Sequence, residues 1–180
     1  MSVVLFGLFI LASAGFYPVA IVGTTPIFAK TWQKAEDAAK NFEIAQARAR
    51  GAEPVDFSLA ENRELLLEVK LGTLTFLIED AIIRQKGEEA VDGLGTLSRE
   101  RVIEALRESS DPEGAARAVY GLSFNDFRGL VLMPQARRDV LKEALIEKNQ
   151  DFDIWLLEAK KEASVRLMFV PFKWSGEEIQ

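Results

Sequence analysis

No charged residue interrupts the first 29 positions of the chain, and Lys30 is the first charge. Beyond it, apolar and charged residues alternate at helical spacing for most of the length. Only near the C-terminus does the period shorten to two. The pattern divides the chain into an apolar leader, 1–17, and a charged, mostly helical part, 18–180.

Three readings fit the apolar run 3–22. It is long enough for a membrane-crossing helix, which takes about 20 residues. Gly7, Gly15 and Pro18 weaken a helix in water, a weakness that membranes tolerate better. Phe16 and Tyr17 would then lie at the interface, where amphipathic aromatics are favoured. A cleaved signal peptide is the second reading, with an apolar region over 5–11 and Ala12-Ser13-Ala14 as a small-x-small site, although no positive region precedes it. A buried helix is the third, and the absence of a polar stripe speaks against it. The lysines that follow, Lys30, Lys34 and Lys40, would taken alone hold the domain on the cytoplasmic face, but Glu36 and Asp37 are interleaved with them.

The rest of the chain predicts one strand, a run of helices and a second strand. Pro18–Val22 is short and β-branched, and 23–26 reads as a turn. A helix is predicted over 28–50, with Thr25 as N-cap, Pro26 at its first position, and Ile27, Trp32, Ala35, Ala39, Phe42 and Ala49 on the apolar face. After a connector over 51–57, Ser58 and Glu61 form a capping box. The helix it opens runs to about Lys86, with Leu65, Leu66, Val69, Leu74, Phe76, Leu77, Ile82 and Ile83 as core and Gly87 as its end. A short helix is expected over 88–94, and another over 99–108 capped by Ser98. Asp111-Pro112 starts a helix through Val119, and Ser123 with Asp126 starts one to Lys148 that Pro134 should kink or split. A last helix covers 152–162. The strand over 164–172 puts Val165, Leu167 and Phe169 on one face, and Arg166 and Met168 on the other. The expected fold is mainly α: a multi-helix domain closed by pairing of its N- and C-terminal strands.

Composition removes whole classes of chemistry. The chain has 180 residues, no cysteine and no histidine. Disulfides, thiolate metal sites and histidine-based triads are therefore excluded. The net charge is -6, with no basic stripe, which argues against a nucleic-acid partner. The carboxylate pairs Glu79-Asp80 and Glu88-Glu89 offer acid-base chemistry or a cation site. Adjacent helix residues diverge in direction, so a solvated face is the expected reading. Ser58 and Ser123 sit where caps belong, Tyr120 reads as a core or turn residue, and no cofactor or metal is expected.

Several blocks together resemble the SurA-type N-terminal domain of the SurA and PrsA foldase families. Val19, Ala20, Val22, Pro26 and Ile27 match the family's opening strand, V-A-x-V-N-G-x-P-I, with Gly23-Thr24-Thr25 as the departure. LTFLIEDAIIRQ at 74–85 is similar to the central helix, GLSFNDFR at 121–128 to the G-L-S-x-x-x-F-R helix start, and 159–167 to the closing A-K-x-x-A-x-V-x-L run. The resemblance implies a helical chaperone domain that holds unfolded or extended polypeptide in an apolar cradle on the extracytoplasmic side of a membrane. Full-length members carry a parvulin prolyl-isomerase domain with histidines in its active site. The stretch after Leu167 has no room for one, so the resemblance implies the non-enzymatic part.

Twelve Phe and three Trp supply the candidate binding surface. Trp32, Phe76, Phe124, Phe127, Trp155, Phe169, Phe172 and Trp174 are the candidates, although core packing is the expected reading of each taken singly. Phe172 and Trp174 stand out because little chain remains to cover them. Expected partners are unfolded polypeptide clients and, through the leader, a membrane. A second copy of the chain could pair through the same apolar surface. The alternatives are a membrane-tethered adaptor for one partner and a relative of the prolyl isomerases.

Overall fold

The computed structural model describes residues 17–180. Among them, helices dominate, and a small antiparallel sheet stands at one end. Strand β1 (Pro18–Val22) lies between β2 (Thr25–Phe28) and β3 (Val165–Leu167). The terminal strands pair in the expected way: Ala20 faces Leu167 and Val22 faces Val165. Three of the five β1 residues, Val19, Ala20 and Val22, are buried. The strand therefore removes Pro18–Val22 from the apolar run that read as a span over 3–22. The anchor and signal-peptide readings of the rest lie, Tyr17 apart, outside the described residues. Among the described residues, no helix is long and apolar enough to cross a membrane.

Strand β2 corrects the predicted turn and helix start. Thr25 and Pro26 look like an N-cap and a first helical residue, but they pair with Val22 and Ile21 in a hairpin. Gly23, at φ 57, makes the reversal. Gln85 holds the hairpin from outside, its Nε2 donating to Val22 O at 2.8 Å and to Thr25 Oγ1 at 2.9 Å. Pro26 is tolerated because β2 is an edge strand.

Helix α1 (Ala29–Ala49) leads through the connector and a 3-10 turn (Ala60–Asn62) into the long helix α2 (Arg63–Ala90). Ser58 bonds to Asp56 rather than to Glu61, so the predicted capping box does not form. Leu65, Leu66, Val69 and Phe76 are only half-buried, whereas Leu74, Leu77, Ile82 and Ile83 are core. Gly87 does not end α2. A Cβ there would stand 2.5 Å from Leu94 Cδ2, so the glycine lets the next helix pack closely.

The predicted short helix over 88–94 does not form: 88–90 end α2, 91–93 turn, and helix α3 (Leu94–Glu108) begins at Leu94. Its cap is Glu88, whose carboxylate accepts from the backbone of Leu94 and Gly95 at 3.2 and 2.9 Å. Ser98 lies inside the helix, buried, and donates to Leu94 O. Helix α4 (Pro112–Tyr120) starts at Asp111, which accepts from Gly114 N at 2.8 Å. Ser123 caps α5 (Phe124–Phe127) through Asp126 N. A π-helical turn (Arg128–Leu132) then joins α5 to α6 (Met133–Glu147).

That turn is how the predicted long helix accommodates Pro134: the run over 124–147 stays helical and is widened, not split. Pro134 has no N–H for the carbonyl four residues back. The chain widens instead, and Met133 N donates to Arg128 O, five residues away. Helix α7 (Phe152–Glu162) has the predicted bounds, with Asp151 accepting from Asp153 N and Ile154 N.

Helix α2 joins the hydrophobic clusters. Leu74, Leu77, Ile78, Ala81 and Ile82 pack on the sheet, and Ile83 packs with Leu94, Leu141, Leu145 and Leu156. A third cluster, Ala38, Ala116, Leu122 and Phe127, lies under α1. Strand β3 is shorter than predicted. Phe169 breaks its alternation at φ 58, and 77% of it is exposed.

Candidate functional site

An open apolar cleft of about 420 Å³ runs between α1, α2 and the π-helical turn. Helix α1 contributes Ala35, Ala38, Ala39 and Phe42, at helical spacing on one face. Helix α2 contributes Gly72, Thr73 and Phe76. Tyr120, Leu130, Val131 and Gln135 complete the lining. The wide π-helical turn carries Leu130 and Val131, and such turns are frequent at functional sites.

Small residues, Ala35, Ala38, Ala39 and Gly72, leave room between the larger side chains of the lining. Gly72 is in mid-helix, and a Cβ there would meet nothing within 4 Å. The aromatic side is packed in layers: Phe42 stacks on Tyr120 at 5.3 Å, and Tyr120 packs on Phe127 at 5.1 Å. Burial pushes the Tyr120 hydroxyl above its ordinary pKa.

Polar contacts fix the frame. Trp32 Nε1 donates from α1 to Lys70 O and Thr73 Oγ1 of α2, at 3.1 and 3.2 Å. The Arg138 guanidinium lies 5.2 Å from the Phe76 ring centroid. Glu79 accepts from Arg138 at 2.6 Å and from Lys160 at 3.0 Å, joining α2, α6 and α7. Beside it, Asp80 is buried in a bidentate pair with Arg137. The solvated reading of Glu79-Asp80 is thus corrected: both carboxylates are committed to ion pairs inside the helix bundle. Glu88 is exposed but serves as the α3 cap.

Lys34 and Asp126 clamp α1 to α5 with a 2.7 Å ion pair. Hydrogen bonds from Lys34 and then Ser123 hold the Asp126 carboxyl below its ordinary pKa. A depressed folded-state pKa stabilises above the unfolded value, and that gain is lost as pH falls through the folded one. Asp126→Asn is therefore expected to lower stability by less than about 1 kcal/mol at neutral pH, because the pair is partly exposed. Urea unfolding across pH should show the variant and the parent converging in acid.

The aromatic candidates do not form one site. Phe76 lines the cleft and Trp32 braces it. Phe127 is buried beneath it, with Phe124 half-buried in the same cluster. Trp155, Phe172 and Trp174 pack on the sheet-side cluster. Trp155 stacks with Phe152 at 6.4 Å, and Lys160 lies 5.9 Å from the Trp174 ring centroid. Phe172 and Trp174 are half-buried because the tail folds back. Trp174 bridges Ile179, and Lys173 and Gln180 exchange backbone hydrogen bonds. Phe169 alone stands well exposed. The small cleft residues escaped the sequence reading. Their signals were the alanines at 35, 38 and 39 and a glycine inside an apolar helix.

No family model, curated protein or solved structure matches the chain.

Proposed function

We propose that the domain binds extended or unfolded polypeptide segments in the cleft between α1, α2 and the π-helical turn, as a chaperone without catalysis. The observation that carries this reading is an open apolar cleft whose wall is left unfilled at Gly72. An apolar cleft of this size takes one or two client side chains. Its alanine, phenylalanine and leucine walls recognise apolar character rather than sequence, which gives shallow and promiscuous binding. The resemblance of the opening strand and the Ser123 helix start to the SurA-type domain supports the same reading. It also supports placement on the extracytoplasmic side of a membrane, with the leader as the link.

The test is light scattering from an unfolded client protein with and without equimolar full chain. The parent is expected to suppress aggregation, and Phe76→Ala to suppress it less while keeping the parent's circular dichroism. Equal suppression by the two proteins would remove the cleft from the activity. A folded parent that suppresses nothing would defeat the chaperone reading.

A further inference from the structure

The segments that build the sheet carry no acidic residue of their own. The chain has 28 acidic residues, yet none falls in 17–35 or 163–176, the segments that build the sheet and its flanks. The same segments hold Lys30, Lys34, Arg166 and Lys173. Lys34 is paired with Asp126. Arg166 and Lys173 have no ion-pair partner among the described residues. In a protein of net charge -6 these two segments are neutral or positive; the carboxylate beside Phe28 is Asp126 of α5, paired with Lys34, and Glu177 follows in the tail.

The same end exposes aromatic surface. Phe169 is 77% exposed and held at φ 58, a left-handed conformation that bulky residues rarely adopt. Its ring meets Tyr17 edge-on at 5.9 Å. Phe28 is 38% exposed and stands opposite Pro18 in the β1–β2 register. Ala29 N donates to Tyr17 O at 2.9 Å, which fixes Tyr17 beside Phe28. The three aromatics thus gather where the chain enters β1. Immediately before that point, 1–16 carries no charged residue, and no polar spacer separates it from Pro18.

We propose that this end of the sheet is a bilayer-contact surface. Tyr17, Phe28 and Phe169 lie at headgroup level on the membrane that takes up the apolar leader, and Arg166 and Lys173 face anionic headgroups. The absence of a spacer holds Tyr17 at the point where the leader leaves the bilayer. Phe169, touching Tyr17, lies at the same depth. The amphipathic Tyr17 ring is favoured at that depth, the apolar Phe28 and Phe169 rings bury at the headgroup–acyl boundary, and a basic surface gains further attraction from anionic lipid. The left-handed backbone at Phe169 lets Val170 and Phe172 return to the core while the Phe169 ring stays outside, against Tyr17. The inference does not depend on what the cleft binds.

The absence of cysteine allows a clean test. Phe169→Cys in the full chain is labelled with an environment-sensitive NBD dye and mixed with phosphatidylcholine–phosphatidylglycerol vesicles carrying doxyl-labelled lipid. Ile103→Cys is the control; Ile103 is 50% exposed on α3, which packs on α2 and α6. The expected result is co-sedimentation of both proteins, with a blue shift and quenching at position 169 and neither at 103. A water-exposed dye at 169 on a vesicle-bound chain would overturn the proposal. So would a chain that does not sediment with vesicles. A blue shift at 169 before lipid is added would assign the patch to a second copy of the chain, which also overturns it.

Discussion

Arg137→Ala is expected to lower the unfolding free energy by about 3–5 kcal/mol, the usual cost of stranding one partner of a buried ion pair. Arg137 Nε and Nη2 donate to the two Asp80 oxygens at 2.9 and 2.8 Å, and each residue is only 8% exposed. Without the guanidinium, the carboxylate must stay charged in the bundle or take up a proton, and either costs stability. Arg84, 3.6 Å from Asp80 on the same helix, is half-exposed and recovers a part of this, so the lower end of the range is expected. The loss is a large fraction of an ordinary domain's total of about 5–15 kcal/mol. Urea denaturation of the parent, Arg137→Ala, and Asp80→Leu with Arg137→Met together separates the terms. The double variant should regain most of the loss, since apolar replacement removes both desolvation costs. A single-variant loss below about 1 kcal/mol would mean that the pair behaves as a surface pair. It would then not be what holds α2 against α6.

The same pair shows where sequence reasoning ended. Asp80 and Arg137 are 57 positions apart, and nothing local distinguishes a buried aspartate from a solvated one. Caps were legible because their chemistry spans three or four residues: Asp111 and Ser123 both accept from the backbone of the predicted helix start. Pro134 was legible as a disruption for a similar reason, although the form it took, a π-helical turn, depends on how the flanking helices pack. Pairing of the terminal strands was expected from the β-branched Pro18–Val22 and the alternation over 164–172. Strand β2 was hidden because Thr25-Pro26 is also a good helix start, and only the ladder to β1 and the contacts from Gln85 decide between the two. Ser98 misled in the reverse way: it looks like a cap, but the capping carboxylate comes from Glu88, ten residues earlier, across a left-handed Gly93. The search for a binding surface favoured large aromatics, because they dominate buried area. The cleft is made by the residues that leave area unfilled, and Phe76 was the one aromatic candidate lining it.

Gly72→Leu is expected to raise stability and to weaken client binding roughly ten- to a hundredfold. Helix α2 contains two interior glycines of different kinds. Gly87 is required by close approach, since its Cβ would collide with Leu94. Gly72 has no such requirement: no atom lies within 4 Å of a Cβ there, and its backbone is ordinary helix. A glycine in a helix interior costs about 1 kcal/mol relative to alanine. Nothing in the packing of α2 offsets that cost. What the missing side chain leaves is room in the wall of the cleft that Ala35, Ala39 and Phe76 also line. Gly72→Ala should raise stability by roughly 0.5–1 kcal/mol and narrow the cleft slightly. A leucine should keep much of that gain while its side chain occupies the space of a client residue. Losing burial of one apolar client side chain removes about 1.5–3 kcal/mol, a weakening of roughly ten- to a hundredfold. Thermal unfolding and anisotropy titration of a labelled unfolded peptide measure the two effects on the same samples. Tighter folding with weaker binding is the signature of a filled site, because damage to the fold would lower both. Unchanged binding by a stabilised Gly72→Leu would place the client elsewhere on the molecule.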